Sequence, residues 1–209
     1  SRALGADAAA RVAFAFPEAP LELGFGGRAW WHIDIERFQR AIMLGDIEPL
    51  LDEVPDGLAD ARKKLRETID EIARQTSLPM SRIVLGGFSQ GAMLTTDVAL
   101  RLEEAPAALA ILSGALIARP EWSRLAPKRA GLRVLQSHGT ADPILPFLGA
   151  TALRTLLEAA GLAVDFVSFP GGHGVPPDAV HKLATLIGSI GSNGSNGSIG
   201  SNGSMGEAR

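Results

Sequence analysis

Short apolar runs alternate along the chain with stretches whose apolar residues return at helical spacing. "RVAFAF" (11–16), "RIVLGGFS" (82–89), "ALAILSG" (108–114), "LRVLQSHG" (132–139) and "VDFVSFPG" (164–171) read as strands. Between 55 and 75, Leu58, Ala61, Leu65, Ile69 and Ile72 share one face, and Lys63, Lys64 and Glu67 fall elsewhere. That is an amphipathic helix, with Asp56 expected at its N-cap. Residues 91–102 form a mostly apolar helix, residues 147–161 one capped by Gly161, and residues 177–189 one that starts at Pro177. Near-continuous apolar strands alternating with helices predict an α/β fold: a mostly parallel central sheet with helices on both faces. Residues 24–55 show no clear period and read as a long lid or binding loop.

Composition narrows the classes. The chain has 209 residues, 46% of them apolar, and a mean hydropathy of +0.15, which fits one domain with a sizeable core. A net charge of −3 and a pI of about 5.8 offer no basic stripe for nucleic acid and no polybasic segment for anionic lipid. There is no cysteine, so disulfides, thiolate catalysis and Cys-ligated metals are excluded, in keeping with a cytoplasmic protein. No apolar run reaches the about 18 residues a membrane span needs. Asp7 and Arg11 interrupt the apolar start, so it does not read as a signal peptide.

In a parallel sheet, ligands bind beyond the carboxyl ends of the strands. After "RIVLGG" comes "GFSQG", a G-x-S-x-G turn between strand and helix, with Ser89 at its apex. Such a turn presents a nucleophilic hydroxyl, and the Gln90 amide at the helix start would donate to a developing oxyanion. The bare pattern also fits an idle serine in a glycine-rich turn, and the strand–turn–helix placement is what favours the nucleophile. After "LRVLQSHG" comes Asp142, and after "VDFVSFPG" comes His173. Alone, Asp142 reads as a turn former and His173 as a surface residue. Together, Ser89, Asp142 and His173 follow the chain order Ser…Asp…His of an α/β-hydrolase. His138 reads as structural, orienting the turn before Asp142. His181 falls inside the last helix and His32 in the lid-like segment. The four histidines show no metal-ligand spacing, and no cofactor is expected.

"FPEAP", "RAWWHID", "RIVLGGFSQGAML", "LSG", "SHGTADPILP" and "GGHGVPPDAVHKL", in that order, resemble the phospholipase/carboxylesterase family, whose members include acyl-protein thioesterases and small carboxylesterases. The resemblance spans roughly residues 12–187. It implies the α/β-hydrolase fold and a serine hydrolase acting on short to medium acyl carboxylic esters, with a thioester or lysophospholipid as rival substrates. The family's nucleophile falls on Ser89, its acid on Asp142, its base on His173 and an oxyanion amide on Gln90. Trp30, Trp31, Ile144 and Leu145 would line the acyl side of the cleft, although the two tryptophans read equally well as lid packing. A dienelactone-hydrolase reading would want cysteine at position 89.

The resemblance also implies a first strand and a His-Gly-x-Gly loop that supplies a second oxyanion donor, and neither is found in the sequence. The expected hydrolase domain is 1–188. Residues 189–209 read as a Gly/Ser/Asn linker ending in "MGEAR", as though head were tied to tail in a permuted chain. A natural low-complexity tail is the other reading. These features leave three expectations open: a partner chain that supplies the strand, a homo-oligomer, or a catalytically impaired scaffold.

Overall fold

The computed structural model describes residues 12–192. Its centre is a four-stranded parallel sheet: β3 (Val84–Phe88), β4 (Ala108–Leu112), β5 (Arg133–Gly139) and β6 (Ala163–Phe169), neighbours in chain order. A separate hairpin pairs β1 (Leu21–Leu23) with β2 (Gly27–Ala29). The helices are α1 (Ile35–Leu44), α2 (Glu48–Asp52), α3 (Leu58–Thr76), α4 (Gln90–Arg101), α5 (Arg119–Leu125), α6 (Phe147–Ala159) and α7 (Pro177–Ser192).

β4 and β5 are the inner strands, and their residues are buried almost throughout, as expected of parallel strands covered on both faces. α4 packs on β3 and β4, and every residue from Ala92 to Leu100 is buried. A helix buried all round needs cover on the side away from the sheet as well, and α3 and α5 pack on it. α7 lies against β5, and α6 packs on β5 and β6. Leu58, Leu94, Leu109, Ile111, Trp122, Leu153 and Leu157 form the fully buried heart of this packing.

Four expectations change. Residues 12–16, the described part of "RVAFAF", form no strand. A strand exists through the ladder bonds of a neighbour, and this segment has none among the described residues. The 24–55 segment is not a loop: it holds β2, α1 and α2. The Asp34 carboxylate accepts from the Arg37 amide at 2.9 Å to start α1, and Gly45, at φ 67°, ends it. Gly57 rather than Asp56 precedes the first turn of α3, and it does so with φ 86°. The last helix continues through Ser192, with Ile190 buried, so the expected boundary at 188 falls inside α7. The rest of the linker-like stretch and "MGEAR" lie outside the described residues.

Candidate functional site

Ser89 sits between β3 and α4 with φ 55° and ψ −123°, a backbone state that L-residues avoid. Gly87 makes the turn sterically feasible. A Cβ there would lie 2.2 Å from the Gly91 carbonyl oxygen and 2.6 Å from the Ala92 nitrogen. The helix therefore starts almost against the strand, and Ser89 is thrust out at the carboxyl edge of the sheet. Gln90 is the first residue of α4, where amides have no intrahelical acceptor and the helix dipole is positive.

The Gln90 side chain does something the sequence did not show. Its Oε1 accepts from the Trp30 amide at 2.7 Å, and its Nε2 donates to the Trp31 carbonyl at 2.9 Å. This double clamp ties the segment after β2 to the helix start, 60 residues away in sequence. The Trp30 indole nitrogen lies 3.9 Å from where a Gly91 Cβ would stand, so Trp30 borders the turn. Trp31 is buried in the core and has almost no surface to offer a ligand. Ile144 is exposed, whereas Leu145 is buried.

Asp142 and His173 come from the loops after β5 and β6. The His173 Nδ1 donates to Asp142 Oδ2 at 2.7 Å. The other carboxylate oxygen, Oδ1, accepts from the amides of Ile144 at 2.9 Å and Leu145 at 3.0 Å. With Nδ1 protonated, Nε2 of neutral His173 is left as an acceptor. The ring of His173 packs on Phe88, centroids 4.8 Å apart, beside Ser89. The Ser89 hydroxyl makes no hydrogen bond among the described residues, so the structure pairs Asp142 with His173 and leaves Ser89 as a neighbour of that pair.

The two loops are locked together. Thr140 donates its amide to the Phe169 carbonyl at 2.9 Å, and Ala141 to that of Gly171 at 3.0 Å. A Cβ on Gly139 would fall 2.3 Å from the carbonyl oxygens of both Gly171 and Gly172, so the approach depends on a bare glycine. From the carboxyl end of β4, Ser113, fully buried and at φ 49°, donates its hydroxyl to the Gly174 carbonyl at 2.7 Å. Sequence reasoning passed over Ser113, because "LSG" carries no local sign of a distant acceptor. His32 and His181 are exposed. Among the described residues, no three or more His, Asp or Glu side chains are grouped to hold a metal ion. The hollow of about 560 Å³ bounded by Leu116, Leu148 and Leu156 includes none of the candidate residues.

A strained serine after one strand, with a bonded Asp–His pair after two others, invites comparison with known hydrolases. The sequence model of the family described as Phospholipase/Carboxylesterase matches residues 16–190. The chain belongs to the phospholipase/carboxylesterase family. Acyl-protein thioesterase 1 of Gibberella zeae is 26% identical over 176 residues, which are 82% of this chain and 72% of that protein. Acyl-protein thioesterase 1 of Neurospora crassa is 33% identical over 102 residues, 47% of this chain, and the match spans only 42% of the Neurospora protein. Among solved structures, esterase PE8 superposes with a TM-score of 0.68 at 26% identity, covering 83% of this chain and 76% of that one. The fold is accordingly that of the family's α/β-hydrolases. Among the described residues no helix is long and apolar enough to cross a membrane.

Proposed function

We propose that the chain is a serine hydrolase of small carboxylic esters. The observation that carries this reading is the His173–Asp142 hydrogen bond, formed beside the strained Ser89 turn. In this mechanism Ser89 Oγ attacks the acyl carbon while its proton passes to His173 Nε2. The tetrahedral oxyanion is held by the Gln90 amide at the start of α4. Its collapse breaks the ester bond, and the leaving alkoxide takes the proton from Nε2. Water then repeats the sequence on the acyl-enzyme and returns Ser89 free. Asp142 keeps Nδ1 protonated and faces the imidazolium as it forms. No cofactor takes part in this scheme. The names of the relatives support a thioester as well as an oxygen ester, because the acyl half of the chemistry is common to both.

Labelling with a fluorophosphonate probe tests the reading. Wild type should label at Ser89 and hydrolyse p-nitrophenyl butyrate, and Ser89→Ala should do neither while keeping its melting temperature. Turnover by Ser89→Ala at the wild-type rate would refute the assignment.

Among the described residues no strand lies on the outer side of β3, which favours a second reading, in which full activity needs another strand placed there by a further segment or chain. One missing oxyanion donor costs about 2.7–4 kcal/mol, or 10²–10³ in rate. Normal labelling with turnover slowed by that factor would favour this reading over the first.

A further inference from the structure

His138 is the last residue but one of β5, four residues before Asp142, and its side chain is fully buried. Its Nε2 lies 2.8 Å from the Leu145 carbonyl oxygen. A carbonyl only accepts, so Nε2 is the nitrogen that carries the hydrogen. The same Nε2 stands 3.3 Å from Asp142 Oδ2, the oxygen that takes the His173 bond. Leu145 joins the two ends of the arrangement: its carbonyl accepts from His138, and its amide donates to Asp142 Oδ1. On the far side of the ring, Nδ1 is buried and has no hydrogen-bond partner among the described residues. An unpaired buried polar atom is unfavourable, and an apolar side chain of similar size would avoid it. Besides its ring contact with Phe147, centroids 6.2 Å apart, what the imidazole adds over such a side chain is the polar contact at Nε2.

We propose that His138 is a positioning residue for the acid. By holding the Leu145 carbonyl it closes the 142–145 turn, whose amides grip Oδ1. With Nε2 also 3.3 Å from Oδ2, the polar ring edge holds that oxygen toward His173 by electrostatic contact rather than by a second hydrogen bond. The Asp–His pair thus becomes a chain of three: His138, Asp142, His173. The catalytic consequence rests on the hydrolase reading, whereas the geometric claim does not.

Two variants separate this role from simple space filling. His138→Leu keeps the bulk and removes the donor, and His138→Gln can place an amide N–H near the Nε2 position. On p-nitrophenyl butyrate, His138→Leu should lose kcat by about 10- to 100-fold, as a small misplacement of a catalytic group does. KM should hold, and His138→Gln should recover most of the loss. In an Asp142→Asn background the leucine substitution should cost little more, because both changes act through one carboxylate. Nitrogen-15 NMR of the substrate-free protein supplies a readout that needs no turnover. The His173 Nδ1–H resonance should shift or broaden in His138→Leu and stay near its wild-type position in His138→Gln. If His138→Leu does not fold, His138→Asn, whose shorter amide cannot reach Leu145, replaces it in both measurements. An unmoved His173 resonance in the donor-less variant overturns the proposal, and so does a kcat loss that adds in full to that of Asp142→Asn. Absence of wild-type turnover would sink the hydrolase reading alone, and the resonance would still decide the role of His138.

Discussion

A few ångströms decide the chemistry of this site at the scale of single residues. Asp142→Asn keeps the shape of the acid but can turn a donor toward His173 Nδ1, favouring the wrong imidazole tautomer. We expect kcat to fall by up to about 10⁴ with KM little changed, since substrate binding is untouched. Steady-state kinetics of Asn variants at Asp142, Asp165 and Asp178 check this. Asp165 is engaged by Lys182 at 2.6 Å and Asp178 opens α7, so neither should matter as much. Two glycines, Gly139 and Gly174, make a sharper pair. Gly139→Ala puts a methyl group into the Gly171 and Gly172 carbonyls, whereas a Cβ on Gly174 meets nothing within 4 Å. Gly139→Ala should pry the His173 loop from the Asp142 loop, cost about 1–3 kcal/mol in stability and lower kcat. Gly174→Ala should leave stability near wild type, although it adjoins His173. Equal melting temperatures for the two alanine variants would contradict the geometry. The places of Ser89, Asp142 and His173 were legible because each follows a strand of the parallel sheet. Ser113 was not, because its hydroxyl is defined by the Gly174 carbonyl, 61 residues on.

Among the elements, legibility depended on how much of each one's stability is local. α3 announced itself through a long apolar stripe, and the inner strands through unbroken apolar runs. α1 was legible in principle and was passed over inside a stretch read as one loop: Phe38 and Ile42, four residues apart, pack on the core, while Met43 and Leu44 at its end are exposed. Its caps, Asp34 and Gly45, were a further signal. The connections between helices were beyond sequence reading altogether. Asp97, fully buried on α4, accepts from Arg62 of α3, from Arg101 at 3.1 Å and from the Trp122 indole at 2.9 Å. Burial works against the charge of Arg101, but Asp97 and Glu121 outweigh it and hold the guanidinium protonated more firmly than in water. One carboxylate thereby ties α3, α4 and α5 together. Asp97→Asn leaves two guanidinium groups facing a neutral amide. Breaking a buried pair costs about 3–5 kcal/mol, and in a domain of this size each kcal/mol lowers Tm by roughly 2–4 °C. Calorimetry should therefore show a fall of about 6–20 °C. A shift inside the noise would mean that water already solvates this cluster.

The whole molecule presents two unlike sheet edges. β6 carries the Asp165–Lys182 pair, and a charge on an edge strand discourages pairing with another chain. β3 reads Val-Leu-Gly-Gly-Phe, with no charge and no proline, and among the described residues no strand lies on the side away from β4. Phe88 at its end is exposed, and so are Phe14 and Phe16 in the segment without regular structure that precedes β1, their rings stacked on each other at 6.2 Å. Among the described residues, each copy of the chain thus offers both an unpaired apolar edge and an exposed apolar segment, the two halves of a strand-addition contact. We expect concentration-dependent self-association, visible by sedimentation equilibrium between micromolar and about 100 µM, the range in which exposed strand edges make chains stick. Phe14→Lys with Phe16→Lys should shift the equilibrium toward monomer. These rings are exposed, so the double variant should melt near the wild-type temperature. Edge pairing also predicts that ester turnover per chain changes with concentration along the same curve, because β3 delivers Ser89 and any strand laid beside it sits next to the nucleophile. A chain that stays monomeric across that range, or an association that the two lysines do not weaken, would exclude the edge as the contact.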